Sequence, residues 1–537
     1  MAHMDTAPRL FVRQASGLIK EFSTIDTFIF NTLAFSLGLV LAVTPTFLGG
    51  LYPDASIYAV LTLGVVLTAF NGLVYGLFSA AMPRSGGDYV FISRTLSPSI
   101  GFAASWGFTW SQFLGLGVYA AWCVRDALSP ALITLGYATG SEALIGAGTN
   151  ALKPVPMFLI GTMLLAVVLA VSLSGTRVLK RFLNALFVIA LIGTGVLMLV
   201  FLTTSHEEFV AAFNRVMKAH ASLDNAYATV IEQAKSNGLQ TGQPTSFWAA
   251  LLALPVGYWA FIGFTYSAYV GGEIKEPQRS QTIGILGSLI FGYVVYMITM
   301  GAYYDVVGRD FNNAVALLQT LEKSPLPTSG SMSFFGGILT TNLLATILIA
   351  VSTFLWFFLM LFVMATICVR NIFAWSFDQL APEVLSRVTD GRGAPWVATL
   401  LVVGCAELFL AAQAFAGVTF MNYIALFSVC FLIAGVAAIV FPYRRKELFE
   451  QAPAVVRRKV FGLPLITVAG IGNTVLFVLV LYSALTNAGM SGVSGMLPTF
   501  ILIVIYGTGF LVYALMKTYR ASRGVDLKLL YQEIPPE

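Results

Sequence analysis

GYWAFIGFTYSAYVGGEIKEPQR, residues 257–279, begins as a membrane span and ends as a charged tail. A helix needs about 20 apolar residues to cross a hydrocarbon core roughly 30 Å thick, and the apolar run that contains this stretch, 247–271, is long enough. Yet Gly257 and Gly263 interrupt it among aromatic residues, and it closes on Glu273, Lys275, Glu276 and Arg279. In hydrocarbon an unpaired backbone group costs several kcal/mol, so a helix broken at depth persists where its freed amides and carbonyls meet a ligand or water. A matching window of small residues, Ala34, Ser36 and Gly38, lies inside IDTFIFNTLAFSLGLVLAVTP, residues 25–45.

The remaining chain supplies the context for these two breaks. Of its 537 residues 58% are hydrophobic and only 10% charged, against about 25% charged in globular proteins. The sequence therefore predicts an all-α integral membrane protein of about twelve transmembrane helices. They are expected near 26–47, 57–81, 100–124, 155–174, 182–203, 247–271, 281–303, 334–369, 395–414, 417–441, 462–486 and 496–516. The eighth run is too long to lie wholly in lipid, so its end from about 364 is expected to project into water. The breaks fall in the first and sixth spans, which hold matching places in the first five and the second five. Such pairing points to a transporter built of inverted repeats with its site at the bilayer midplane. The competing reading is that the glycines only let helices pack closely.

Basic residues orient the chain, because cytoplasmic loops retain Lys and Arg in excess. With the N-terminus inside, 23 of the 30 basic residues fall on the inner side and seven on the outer: Arg125, Lys153, Arg215, Lys218, Lys235, Arg309 and Lys323. None is expected inside a span. Both termini are then cytoplasmic, and the protein is a multi-pass resident of the cell membrane with the lipid bilayer as its partner. The +5 balance reports topology, and no nucleic-acid partner is expected. Enzymatic chemistry has little to work with. The histidines are His3, His206 and His220, outside the spans, and there is no H-E-x-x-H, Walker A loop or G-x-S-x-G elbow. Neither an enzyme nor a cofactor is expected. Cys123, Cys368, Cys405 and Cys430 show no C-x-x-C spacing and read as small buried hydrophobes.

Three stretches resemble the amino acid-polyamine-organocation permease superfamily. PRSGGDYVFISR, 83–94, is similar to its P-x-S-G-G-x-Y-x-Y/F signature at Pro83, Ser85, Gly86, Gly87, Tyr89 and Phe91. GFTYSAYVGGEIKEPQR, 263–279, resembles G-F-x…E-x-K-x-P-x-R at Gly263, Phe264, Glu273, Lys275, Pro277 and Arg279. RNIFAWSFDQLAPEVLSRVTDGRGAPWVAT, 370–399, resembles R-x-x-Y/F-A-x-x-x-D-G-x-x-P…R-x-G-x-P-x-x-A, with Gln379 in place of the usual glycine. The three occur in order, each on the inner side of the derived topology, and the likeness spans about 23–442.

The resemblance implies a LeuT-type 5+5 inverted repeat plus two C-terminal helices. It divides the chain into a cytoplasmic tail 1–25, a first repeat 26–203, an extracellular loop 204–246, a second repeat 247–441, a basic cytoplasmic loop 442–461, helices 11 and 12 over 462–516, and a cytoplasmic tail 517–537. It also implies a substrate site at Ala34, Ser36, Gly38, Trp259, Ala260, Phe261 and Gly263. There the amides of Ser36 to Val40 would meet a carboxylate at a positive half-helix end, and the carbonyls around Trp259, Ala260 and Phe261 an amino group. Trp259 and Phe261 are expected to gate the outer side. Glu273, Lys275 and Arg279 would gate the inner side, pairing among themselves or with Asp88 and Asp378; read as plain interfacial charges, they only stop the helix.

Two departures stand out. Helix 1 offers Ser36-Leu37-Gly38 where the family shows G-x-G, and aligning RFLNALFVIALIG on Asn184 puts Ala190 where proton-coupled members carry a lysine. With Ser352 and Thr353 nearby in sequence pattern, sodium is the coupling ion this suggests, a proton the alternative. Glu407 is the one acid deep in a span, with either a structural or a proton-coupling role. The stretch 204–246 has Phe209, Phe213 and Met217 spaced by four and predicts a surface helix lying on the bundle.

The expected function is a secondary permease moving amino acids, most readily neutral ones, by alternating access coupled to an ion gradient or to exchange. A permease of polyamines or other organic cations is the alternative. An ion channel is remote, because no pore-lining charge ring or filter loop is present. The spans offer Trp259, Phe261, Phe264, Tyr266, Trp106, Trp110 and Tyr423 for an aromatic cavity, with Asn31, Gln112 and Asn422 as polar contacts.

Overall fold

The chain was analysed as a computed structural model that describes residues 20–389, 393–417, 423–487 and 496–525 together with Leu527 and Tyr531. Of the residues named above, His3 and Asn422 lie outside the described residues.

Ser23 opens the first helix with a reciprocal cap: its hydroxyl accepts from the Asp26 amide at 3.3 Å, and the Asp26 carboxylate accepts from the Ser23 amide at 2.8 Å. Helix α1 runs Thr24–Phe35 and α2 Leu37–Leu51, separated by Ser36. Helix α3, Ile57–Ala81, matches its expected span at both ends. Then come α4, Asp88–Thr95, and α5, Pro98–Trp122, followed by a wide turn over Cys123–Leu128 into α6, Ser129–Thr139, and α7, Glu142–Ala151. Helices α8, Pro154–Leu173, and α9, Thr176–Thr203, complete the first half. Outside the spans, α10, His206–Ala221, and α11, Ala226–Ser236, replace the single surface helix expected there.

The second half starts with two short helices, α12, Phe247–Leu252, and α13, Leu254–Trp259, which lead into irregular backbone. It continues through α14, Pro277–Val307, α15, Arg309–Thr320, α16, Met332–Leu339, and α17, Leu343–Phe377. Helices α18, Trp396–Ala416, α19, Tyr423–Arg444, and α20, Lys446–Gln451, follow. A two-residue hairpin, β1 Lys459–Val460 on β2 Leu463–Pro464, then leads into α21, Leu465–Thr486, and α22, Leu497–Ala521.

Among the described residues ten helical stretches, with Thr24–Leu51 counted as one, are long and apolar enough to cross a membrane. The expected spans 100–124 and 247–271 are not among the ten. The first is α5, whose Ser, Thr, Gln and Gly residues lower its hydropathy, and the second is the segment that breaks after Trp259. Exposed apolar side chains such as Val188, Ile192, Leu199, Ile503, Leu511 and Leu515 give α9 and α22 faces that only lipid would solvate.

Helix α17 is the central post. Residues from Leu355 to Ser376 are buried without interruption, so the stretch from 364 is enclosed by protein and does not project into water. The span also begins later than expected. Asn342 caps it, its side-chain oxygen accepting from the amides of Leu344 at 2.9 Å and Ala345 at 3.3 Å, and this separates α16 from α17.

At one end of the bundle sit the basic loops, here termed the basic face. There the Phe22 amide donates to the Glu273 carbonyl at 3.0 Å, and the Lys275 amide to the Phe22 carbonyl at 2.8 Å. At the far face, Phe209, Phe213, Tyr227, Phe311 and Phe335 pack into one aromatic cluster that joins α10 and α11 to α15 and α16. Asn312 and Asn313 of α15 donate to the carbonyls of Pro45, at 2.8 Å, and Pro53, at 3.1 Å, so this cluster also grips the far-face end of α2.

Candidate functional site

Ser36 sits in the left-handed region, φ 52° and ψ 73°, a conformation that costs a non-glycine residue about 1–2 kcal/mol. Its hydroxyl secures the turn by donating to the Trp356 carbonyl on α17 at 2.8 Å. Because α2 starts afresh at Leu37, the amides of Leu37, Gly38 and Leu39 have no partner within that helix; Val40 is the first to close, on the Ser36 carbonyl at 3.1 Å. Among the described residues these three donors meet no acceptor, and with them the positive end of a helix lies at the junction. Gly38 lies against the Trp356 ring so closely that any β-carbon would strike it.

The sixth span breaks opposite. After Trp259 the chain runs through tight turns: Ile262 donates to the Trp259 carbonyl at 3.2 Å, Phe264 to Phe261 at 3.2 Å and Tyr266 to Gly263 at 2.8 Å. Among the described residues the Ala260 carbonyl receives no backbone donor. Gly263 turns the chain with φ +98° and faces α1, where a β-carbon would stand 2.8 Å from the Ala34 carbonyl carbon and oxygen. The two breaks thus touch each other, Ala34 against Gly263, and Ser36 ties both to α17.

Aromatic side chains wall this junction, though not all those expected. Residues 108, 112 and 119 of α5 share one face. Phe108 meets Tyr266 at 5.9 Å between ring centres, the Gln112 side-chain oxygen accepts from the Tyr266 hydroxyl at 3.3 Å, and Tyr119 lies 6.1 Å from Tyr423. Trp106 and Trp110 occupy another face of the same helix. Trp106 stacks towards Trp375 at 5.8 Å and donates to Thr508 of α22, and Trp110 packs on Phe409, so neither lines the junction. Phe264 points at Gly72 of α3. Asn31 is fully engaged elsewhere: its oxygen accepts from the Ser267 amide at 2.8 Å and its amide donates to the Ser267 hydroxyl at 3.0 Å.

Of the two proposed outer gates, Trp259 joins an aromatic group on the far-face side, 5.3 Å from Phe47, which in turn meets Trp122 at 6.2 Å. Phe261 packs away from that group, on Tyr296 of α14 at 5.5 Å. Ala34, Ser36, Gly38, Trp259, Ala260, Phe261 and Gly263 are all buried, so the junction is closed to water from both faces.

The charged tail behaves differently from its expected pairing. Glu273 is fully buried and held by Arg370 of α17 in a two-pronged ion pair, 2.6 Å and 2.9 Å, with the Thr176 hydroxyl donating at 2.7 Å. Lys275 and Arg279 point into water and form no ion pair among the described residues. The left-handed turn at Glu276, φ 47°, rotates the chain outward there. Asp378 pairs with Arg94 at 2.7 Å, and Asp88 accepts from the hydroxyls of Tyr75 and Tyr269. Among the described residues two basic side chains are therefore buried, Arg94 and Arg370, each matched by a carboxylate. At the rim, hydrogen bonds from Arg177 hold the Glu21 carboxyl below the usual carboxylate range.

Sequence pattern offered no pairing for Arg370, which stood only at the head of the third motif and among the basic residues of the inner side. Nor did it signal Trp356, whose carbonyl fixes Ser36 and whose indole donates to Thr194 at 2.8 Å.

Ser352 and Thr353 do not present a joint set of oxygens. The Ser352 hydroxyl donates to the Ala190 carbonyl at 2.5 Å and lies 3.3 Å from the Thr194 hydroxyl, whereas Thr353 donates to Ile349 of its own helix at 2.9 Å. Glu407 is half-buried between α8 and α18 and accepts from the Thr162 hydroxyl at 3.0 Å, remote from the junction. A protein-family model described as "Amino acid permease" matches residues 27–513.

Proposed function

The chain belongs to the amino acid permease family, within the amino acid-polyamine-organocation superfamily, and from that membership we propose that it carries neutral amino acids across the cell membrane by alternating access, driven by an ion gradient or by exchange. That it is a multi-pass membrane protein that transports amino acids follows from the family; the finer reading rests on the junction of the broken helices. Free amides at Leu37, Gly38 and Leu39 suit a carboxylate, and the Ala260 carbonyl suits an ammonium group. None of the residues that wall the junction carries a charge. In this reading the two five-helix repeats, 26–203 and 247–441, close around Ala34, Ser36, Gly38, Trp259, Ala260, Phe261 and Gly263. Trp259 closes the far face, and Glu273 with Arg370 closes the basic face.

The absence of charge sets the selectivity. An unpaired Lys, Arg or Asp near the bilayer centre costs about 2.5 to 3.5 kcal/mol on insertion scales, and a substrate with a third ionic group would need a partner at the junction. Competition for labelled uptake into proteoliposomes should rank alanine, leucine and phenylalanine above arginine, lysine and putrescine. The reverse order would replace this reading with an organic-cation permease.

The proposed orientation puts the basic face and both termini in the cytoplasm and the 204–246 segment outside. A single cysteine at the exposed Ser236 of α11 should then react with an impermeant maleimide on intact cells. Reaction only after the cells are opened would invert the topology.

A further inference from the structure

The third and first sequence motifs meet at a buried cluster on the basic face. Arg94 of α4 holds Asp378 through two bonds, 2.7 Å and 3.0 Å, and the Tyr89 hydroxyl donates to the same carboxylate at 2.7 Å. This cluster ties α4 to the end of α17, beside the Glu273–Arg370 pair on that helix. What covers it comes from the far end of the chain. The Tyr531 hydroxyl lies 2.9 Å from that of Tyr89, and the Arg94 guanidinium sits 4.6 Å from the centre of the Tyr531 ring. Tyr531 is only 5% exposed and Leu527, four residues earlier, 3%. At the end of α22, Arg520 donates to the Gln379 carbonyl at 2.9 Å, so the approach to the cluster is anchored on the residue next to Asp378.

We propose that Tyr531 and Leu527 form a latch, docking into a receptor pocket made by Tyr89, Arg94 and Asp378 and locking the basic face closed. The physical case is one of solvation. Among the described residues the Arg94 Nε has no hydrogen-bond partner, and the Tyr531 ring lies over a guanidinium that otherwise meets Asp378, the Ser93 hydroxyl and the Tyr89 ring. Cation–π contacts strengthen as they are desolvated, from about 0.5–1 kcal/mol at exposed sites to about 2 or more. Once the ring leaves, water reaches the Arg94–Asp378 pair and the pair weakens towards the small value of an exposed one. Helix α4 and the end of α17 are then free to part. An opening of the basic face that separates α4 from α17 requires Tyr531 to leave first, so the occupancy of this pocket sets how often the carrier can open on that side. The inference rests on the alternating-access reading above.

Hydrogen exchange on the full chain in lipid nanodiscs tests it without any substrate, so a failed uptake assay leaves the result interpretable. In the unaltered protein the amides of Leu527 and Tyr531, read at single-residue resolution, should exchange at least about tenfold more slowly than in a free peptide of the same sequence. Tyr531→Ala should release them to the free rate and speed exchange in 88–95 and 266–276 severalfold, with α10 and α15 unchanged. Tyr531→Phe, which keeps the ring over Arg94, should leave 88–95 slow. Free-rate exchange at Leu527 and Tyr531 in the unaltered protein would overturn the docking. A Tyr531→Ala protein with unaltered 88–95 and 266–276 would overturn the lock.

Discussion

Arg370→Met should lower stability by about 3–5 kcal/mol, the usual cost of stranding one member of a buried ion pair. Glu273 is fully buried, and without the guanidinium its carboxylate would keep only the Thr176 hydroxyl, at 2.7 Å, among the side-chain donors that now hold it. Charge is the cause, so removing it from both sides should restore most of the loss: the Glu273→Gln/Arg370→Met double variant buries two neutral side chains of similar size. Arg279→Met serves as the control. Its side chain is exposed and forms no ion pair among the described residues, and a surface change of that kind is worth about 0.5 kcal/mol or less. Apparent melting temperatures in one detergent, at one scan rate, compare the four proteins, since unfolding of this kind reports a rate as well as an equilibrium. A single Arg370→Met variant that melts with the wild type would remove the pair from any role in closing the basic face.

That experiment also marks where sequence reading stops. Glu273 was legible as a gate candidate because it ends an apolar span within a recognisable motif. Its partner was not legible, because Arg370 stands 97 positions away and nothing in the spacing couples the two. Long apolar runs carry strong local signals, so α3 appears with both its ends in place, and the small-residue windows at Ala34–Gly38 and around Gly263 mark both breaks. Which aromatic residues face the junction depends on the rotation of each helix. On α5 the sequence offers Trp106 and Trp110 as readily as Phe108 and Gln112, and only packing removes the first two, Trp106 on α22 and Trp375 and Trp110 on Phe409 of α18. Where a hydroxyl turns is equally a matter of packing: Ser352 donates to the Ala190 carbonyl of α9, and the adjacent Thr353 to Ile349 of its own helix. The C-terminal docking of Tyr531 on Tyr89 spans 442 positions and leaves no mark in local pattern at all.

Gly263→Leu should abolish uptake, by at least about a hundredfold, while leaving a folded protein. Two costs coincide at this position. The backbone φ of +98° is one that side-chain-bearing residues rarely adopt, and the strain of such a conformer is about 1–3 kcal/mol. The β-carbon would also stand 2.8–2.9 Å from the carbonyl carbon, the oxygen and the β-carbon of Ala34, which are backbone and stub atoms that cannot swing aside. The junction must therefore part. Moving Ala34 shifts Ser36, two residues on, and with it the hydroxyl that holds the Trp356 carbonyl at 2.8 Å and the free amides of Leu37, Gly38 and Leu39. Geometry of this kind is unforgiving, because a 1 Å misplacement can cost about a hundredfold in a site that depends on alignment. Helices α5 and α17, buried along most of their length, are untouched, so size-exclusion behaviour and helix content should match the wild type. Gly263→Ala, with the same first atom but no further bulk, should fall between the two. Equilibrium binding of a neutral amino acid to the purified variants completes the test: a well-folded Gly263→Leu protein with wild-type affinity would place the substrate somewhere other than the meeting of the two broken helices.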